Sequence, residues 1–291
     1  MKKSALFSIV TLFATTFYSS AQGLYVEGAF GWNFGLGCNT ELLYNDTYYE
    51  VYNTDNGSYY YSGKSENVKL NLGRGGSFGA NIGYLFNDNV GVELHFSYLL
   101  GSPTNSSSSS EFNYIIGGMT QTETYTNKVQ LSSSMFRLAP VFVVQTQLNK
   151  ITPYAKLGPV LSFGKIILNQ DQNNLGTIMI QESKLNGGIA IGLDTRLGFL
   201  YQTDGAMAYF IEVHAMGLSY APKKGELTKY VIDGEDQMPG LTTQQREVEF
   251  VDEISYDSNT DLDPNKPDQT LAIAFPFSSI GVNVGVRIKL F

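Results

Sequence analysis

Alternation of apolar with small or polar residues recurs eight times along this chain of 291 residues, and no other feature narrows its fold as much. Successive side chains of a β-strand point to opposite faces, so each such run marks a strand whose two faces meet different surroundings. Over 24–34, Leu24, Val26, Phe30, Trp32 and Phe34 share one face, against Tyr25, Glu27, Ala29 and Asn33. Over 90–99, Val90, Val92, Leu94, Phe96 and Tyr98 oppose Glu93, His95 and Ser97. The same pattern runs through 77–86, 135–148, 153–164, 187–199, 206–218 and 282–290. One face is apolar and aromatic. The other collects Gly, Ser and Asn with single ionisable groups: Glu27, Glu93, His95, Arg137, Lys156, Asp194, Arg196, Glu212, His214 and Arg287.

The connections between these runs alternate strictly in length. Asn87-Asp88-Asn89, Asn149-Lys150 and Gln202-Thr203-Asp204-Gly205 are tight, whereas 35–76, 100–134, 165–186 and 219–279 are long and polar. A soluble barrel keeps its apolar face inside. Here the charged face could not form the core of a water-exposed barrel. It can fill one whose outside is covered by lipid, because opposite charges pair there. Short turns on one side and long loops on the other are the asymmetry of a barrel that crosses a membrane. The expected fold is all-β: an eight-stranded antiparallel transmembrane β-barrel with short periplasmic turns and long extracellular hairpin-like loops. A secreted β-sandwich with one wet face is the alternative.

Composition removes other classes. Charged residues are 16% of the chain, against about 25% in ordinary soluble domains; Gly, Tyr and Phe take up the difference. A net charge of −8 argues against nucleic acid as a partner, and a single cysteine excludes a disulfide framework. No run reaches the roughly 18 apolar residues of a membrane-spanning helix. Met1-Lys2-Lys3, the apolar stretch 5–17 and the small residues Ser19-Ser20-Ala21 predict a cleaved signal peptide over 1–21, which leaves 22–291 as the barrel domain. Gln22, not Cys, follows the cut, so no lipid anchor is expected.

Taken together, these features resemble the small Gram-negative outer-membrane barrels of the OmpA, OmpX and opacity type. The final run, Gly281-Val-Asn-Val-Gly-Val-Arg-Ile-Lys-Leu-Phe291, ends on an aromatic similar to the one that family presents to the barrel-assembly machinery. Phe291 departs from the pattern, because its parity is opposite to that of Val286, Ile288 and Leu290. Either a bulge sits near Lys289 or the terminal residue lies beyond the last strand pair. The resemblance implies a monomer in the outer membrane, in contact with outer-membrane lipid. With nothing following Phe291, the cell-wall tethering of two-domain relatives is not expected.

Three of the four long connections carry hairpin turns, Asn56-Gly57, Gly117-Gly118 and Asp233-Gly234, because Gly accepts positive φ. Strand pairs projecting past the bilayer are therefore expected. Val68, Leu70 and Leu72 keep the parity of Phe78 and Ile82, which would carry the second strand outward, and Ser106–Ser110 reads as flexible. Centring the Gln202–Gly205 turn on Asp204 pairs Arg196 with Glu212 and Asp194 with His214.

The segment 226–268 holds twelve acidic and three basic residues. Within it, Asp257, Asn259, Asp261, Asp263 and Asp268 fall at the spacing of a calcium loop, the one cofactor the sequence suggests. Leu262 stands where that loop wants Gly, and a solvated acidic loop is the alternative. Glu93, His95 and Ser97 offer a carboxylate, a base and a hydroxyl on one face. However, residues two apart on a strand are about 7 Å apart, too far for a direct bond, and no catalytic residue is assigned. Cys38 reads as a small rim residue, Trp32 and the strand-end tyrosines as interfacial anchors, and the Tyr-rich first loop as a contact surface. The expected function is structural and interactive: a polar, largely closed lumen, and extracellular loops that meet an external ligand the sequence does not name. A membrane-lipid-modifying hydrolase and a narrow ion-conducting pore are the alternatives.

Overall fold

The computed structural model describes residues 23–254 and 263–290, with the side chains of 38–42 left aside. Numbered along the chain, eighteen strands form among the described residues, and eight of them close an antiparallel ring. These are β1 (Leu24–Gly35), β4 (Gly75–Leu85), β5 (Val90–Gly101), β7 (Met119–Gln145), β8 (Ile151–Asn174), β10 (Ala190–Gln202), β11 (Met207–Gly217) and β18 (Ser279–Lys289), which returns to β1. The eight alternating runs of the sequence correspond to the eight ring strands.

Directly opposed residues can be followed around the ring. Phe163 on β8 faces Phe136 on β7, then in turn Tyr98, Phe78, Phe30, Val284, Ile211 and Phe199, which faces Pro153, again on β8. The circuit closes ten positions from its start, a shear of ten on eight strands. At about 4.8 Å between strands and about 3.3 Å per residue, that shear tilts the strands by about 40°. Every station on this spiral is apolar or aromatic. Phe30, Phe78, Phe163, Phe199 and Ile211 are all more than half exposed on the outside of the ring.

β7 and β8 do not stop at the rim. They run for 27 and 24 residues and hold one register from Gln145 opposite Tyr154 to Tyr125 opposite Asn174, with the ladder interrupted only between Phe142–Leu157 and Leu138–Leu161, where Pro140 and Pro159 lie. A tilted strand needs only about 9–11 residues to cross a bilayer. Their outer halves are flanked on one side by β6 (Thr104–Ile116), β2 (Cys38–Asn53) and β3 (Ser58–Leu70). On the other side stand β9 (Thr177–Asn186), β13 (Lys224–Ile232), β15 (Glu247–Val251) and β16 (Asp268–Leu271). One nine-stranded sheet thus rises from the barrel rim, in the order β3-β2-β6-β7-β8-β9-β13-β15-β16. The pair β14 (Glu235–Asp236) extends β13 after the Asp233-Gly234 turn.

The three expected hairpin turns are present, with positive φ at Gly57, Gly117, Gly118, Asp233 and Gly234. A fourth, Leu175-Gly176, joins β8 to β9 with φ of 54° and 94°. Two expectations are corrected. Ser106–Ser110 is not a loose stretch: it lies within β6, paired with β7 throughout and with β2 from Ser108 onward, so backbone ladders hold it whatever its composition. Nor does the 68–72 segment carry the second ring strand outward. Strand β3 ends at Leu70, and the Asn71 amide clamps a bend by donating to the carbonyls of Leu36 and Ser278 and accepting from the N–H of Gly73.

That bend turns Leu70 and Leu72 inward, into an apolar core seated in the outer end of the barrel. Leu70, Leu72, Leu99, Met135, Val160, Ile166, Tyr220 and Phe277 are fully buried there. The two-stranded pair β12 (Ser219–Tyr220) and β17 (Phe275–Pro276) dips into it. The Tyr220 hydroxyl lies between the carbonyls of Gly164 (2.9 Å) and Gly187 (2.6 Å), which ties the dipping segment to the wall.

Candidate functional site

All ten ionisable residues expected on the polar face lie in the lumen, each 3% exposed or less. They form two layers beneath the apolar cap. In the layer nearer the short turns, the Lys156 ammonium on β8 donates to Glu27 (2.9 Å) and to Glu93 (2.8 Å), and lies 3.9 Å from Glu212. Arg287 binds Glu27 through Nε at 2.7 Å, with its guanidinium 3.9 Å from the centre of the Tyr25 ring. Tyr25 donates to Glu93 (2.8 Å), and Tyr154 to Glu212 (2.9 Å). Asn81 and Asn283 complete the acceptors of Glu27 and Glu212.

The second layer centres on Arg196. It binds Asp194 on its own strand (2.7 Å) and Glu212 on β11 (2.7 Å), and its guanidinium lies against the ring nitrogens of His95 at 2.6 and 2.7 Å. A neutral imidazole offers one acceptor nitrogen, so only one of those two contacts is a hydrogen bond at a time. His214 meets the amide oxygen of Asn33 at 2.9 Å. Four carboxylates face four cations, yet the bonding is incomplete. Nε and Nη2 of Arg137, Oδ1 of Asp194 and Nδ1 of His214 are buried with no partner. Arg137 and His214 line a small cavity of about 20 Å³ together with Arg196; the space suits one water molecule.

The register expected at the tight turn is corrected by two residues. Arg196 stands directly opposite His214 and Asp194 opposite Met216, while Glu212 faces Gly198. The four-residue gap between β10 and β11 centres the hairpin on Gly205, one residue later than expected, and each residue of displacement moves the pairing by two. Parity survives an even shift, so the faces are as expected. The Arg196–Glu212 ion pair forms on the diagonal, and Asp194 pairs with Arg196 instead of His214.

One device was missed in the sequence. Large lumen side chains stand directly opposite glycines: Tyr25 opposite Gly83, Tyr154 opposite Gly198, Phe210 opposite Gly285, and His214 opposite Gly281. A Cβ at any of these glycines would overlap the ring that lies across it. Small-against-large pairing is how a narrow barrel fills its interior, and the signal is a glycine at lumen parity.

The residues of the two alternative chemistries stand in different settings. Glu93 is taken by Lys156 and Tyr25, and His95 by Arg196; among the described residues no hydrogen bond joins His95 to Ser97. Of the calcium-loop residues, Asp257, Asn259 and Asp261 lie outside the described residues, while Asp263 and Asp268 are exposed. The backbone N–H of Asn265 (3.0 Å) and the Lys266 ammonium hold the Asp263 carboxyl below its ordinary range. Phe291 and residues 1–21, where a signal peptide is expected, also lie outside the described residues. Strand β18 keeps unbroken register with β1 through Lys289, so no bulge occurs up to that point. Cys38 opens β2, opposite Leu70.

The class that fold and interior define is a closed eight-stranded barrel filled by an ionic network. No protein-family model matches the chain, and no significantly similar curated protein was found.

Proposed function

We propose that this chain is an outer-membrane β-barrel that acts as a structural and surface-interaction protein. The observation that carries this reading is the inverted solvent preference of the ring. Its outside is a belt of exposed Phe, Ile, Leu and Val, and its inside holds ten buried ionisable groups. Water would penalise that outside, whereas hydrocarbon suits it. The nine-stranded sheet then stands on the cell-surface side, and the short turns face the periplasm.

The interior favours a plug over a pore. A vestibule of about 410 Å³ opens at the short-turn end and stops at Tyr25 and Arg287. Beyond it come the two ionic layers and then the apolar cap, so a solute would have to displace all three. The sheet offers the contact surface instead, with Tyr49, Tyr52, Tyr59, Tyr60 and Tyr61 exposed on β2 and β3. Outer-membrane lipid and the assembly machinery are the partners this reading requires, and the external ligand binds the sheet.

Topology is tested by labelling intact cells with an impermeant thiol reagent in a Cys38→Ser background. Met119→Cys, at the tip of the β6–β7 hairpin, is expected to react, and Asp88→Cys in a short turn is not. Labelling at Asp88 alone would invert the orientation. If the 257–268 loop takes calcium, millimolar calcium protects it from protease and Asp261→Ala abolishes the protection. Equal cleavage in calcium and in chelator leaves the solvated loop.

A further inference from the structure

A large cavity lies outside the lumen, on the projecting sheet. It measures about 720 Å³ and draws its walls from β2, β6, β7, β8, β9 and β13. Asn105, Gln130, Asn169, Glu182 and Lys229 stand directly opposite one another in a single row across five of those strands. Parity settles which face they occupy. On β7, Gln130 and Lys128 share the side of Phe136 and Phe142; on β8, Asn169 and Asp171 share the side of Leu157 and Phe163. The cavity therefore opens on the same side as the apolar belt, not on the side that continues the lumen.

Height above the belt follows from the strand. Asn169 lies six residues beyond Phe163, about 20 Å along β8 and about 15 Å in height at a tilt of about 40°. Headgroups extend a bilayer by only about 5–8 Å per side beyond its hydrocarbon. The cavity thus overhangs the membrane just above the phospholipid headgroups, where the sugars of a glycolipid stand.

Its chemistry fits the same occupant. The Gln130 amide donates to Asn105 (3.0 Å) and accepts from Asn169 (3.4 Å), which fixes three amides in line and leaves Nδ2 of Asn105 and Oδ1 of Asn169 open. Among the described residues, Lys128, Asp171 and Lys229 have no hydrogen-bond or ion-pair partner. Two cations and two carboxylates balance, and no aromatic side chain lines the walls. Hydroxyls both donate and accept, so a polyhydroxylated ligand satisfies such a mixed row. A nucleobase would lack its stacking ring and an acyl chain its apolar wall.

We propose that this cavity binds the saccharide headgroup of an outer-leaflet glycolipid, an inference that rests on the membrane reading above. The full chain, folded in detergent, is titrated with lipopolysaccharide and with its deacylated saccharide. Binding to lipopolysaccharide is expected to weaken about tenfold or more in a Gln130→Ala/Asn169→Ala/Lys229→Ala variant, while the heat-dependent gel shift of the barrel stays unchanged. Where that variant does not fold, Lys128→Ala with Lys229→Ala, both exposed, takes its place and should also weaken binding. Equal binding by variant and parent overturns the proposal. So does equal affinity for lipid A without its core saccharide, or for free saccharide, which would make the ligand a soluble glycan. Failure of the membrane reading shows separately, as protein that stays in solution without detergent and apart from the outer-membrane fraction.

Discussion

Lys156 is the side chain on which the lower lumen turns, because its ammonium is bonded to two carboxylates and lies near a third. Removing one member of a buried ion network leaves its partners uncompensated, at a cost of about 3–5 kcal/mol. Lys156→Met is therefore expected to lower the urea midpoint of the micelle-bound barrel, and adding Glu93→Gln to restore part of the loss. An unchanged midpoint would show that the carboxylates are held by other groups. Arg196→Ala should be rescued better by Asp194→Asn than by Glu212→Gln. Asp194 has no other partner among the described residues, whereas Glu212 keeps Tyr154 and Asn283. Gly83→Val should cost about 1–3 kcal/mol, because the new side chain displaces Tyr25 from Glu93; the unfolding temperature on a heated gel reports it. These residues were visible as lumen-facing in the sequence because the wall imposes a different environment at every second position. Who bonds to whom was not visible, since diagonal contacts depend on register and on side-chain reach.

At the level of strands, legibility tracks whether the two faces differ. The ring strands separate lipid-compatible from polar residues and stand out. The outer halves of β7 and β8 have polar residues on one face and a mixture on the other, as in Asn127, Lys128, Gln130 and Ser132, and the period-two signal fades although the strands continue. The β8–β9 hairpin was missed for a related reason, because Leu175 takes a positive φ that a branched apolar residue disfavours by about 1–2 kcal/mol. Leu175→Asn is expected to slow amide exchange at this hairpin by a factor consistent with about 1 kcal/mol. Exchange equal to the parent would mean that the turn relieves its strain elsewhere.

Over the whole molecule, the closed antiparallel ring was legible and the cap was not. Leu70, Leu72, Tyr220, Phe275 and Phe277 are scattered among polar residues of two separate connections, and only the fold gathers them. Because ionic layers and cap close the lumen independently, planar bilayers are expected to show no steady conductance for the parent or for Tyr220→Ala/Phe277→Ala. Discrete channel openings in the parent would overturn the plug. The continuous pairing of β7 with β8 from Tyr125–Asn174 down to Leu138–Leu161 has a mechanical side as well. A tug on the projecting sheet runs along strands that continue into the barrel wall, so it loads a long row of backbone hydrogen bonds sideways and together, not one after another. No hinge interrupts these two strands between the projecting sheet and the barrel wall. The projecting sheet is thus a mast that continues into the barrel wall, and whatever grips it pulls on the barrel itself.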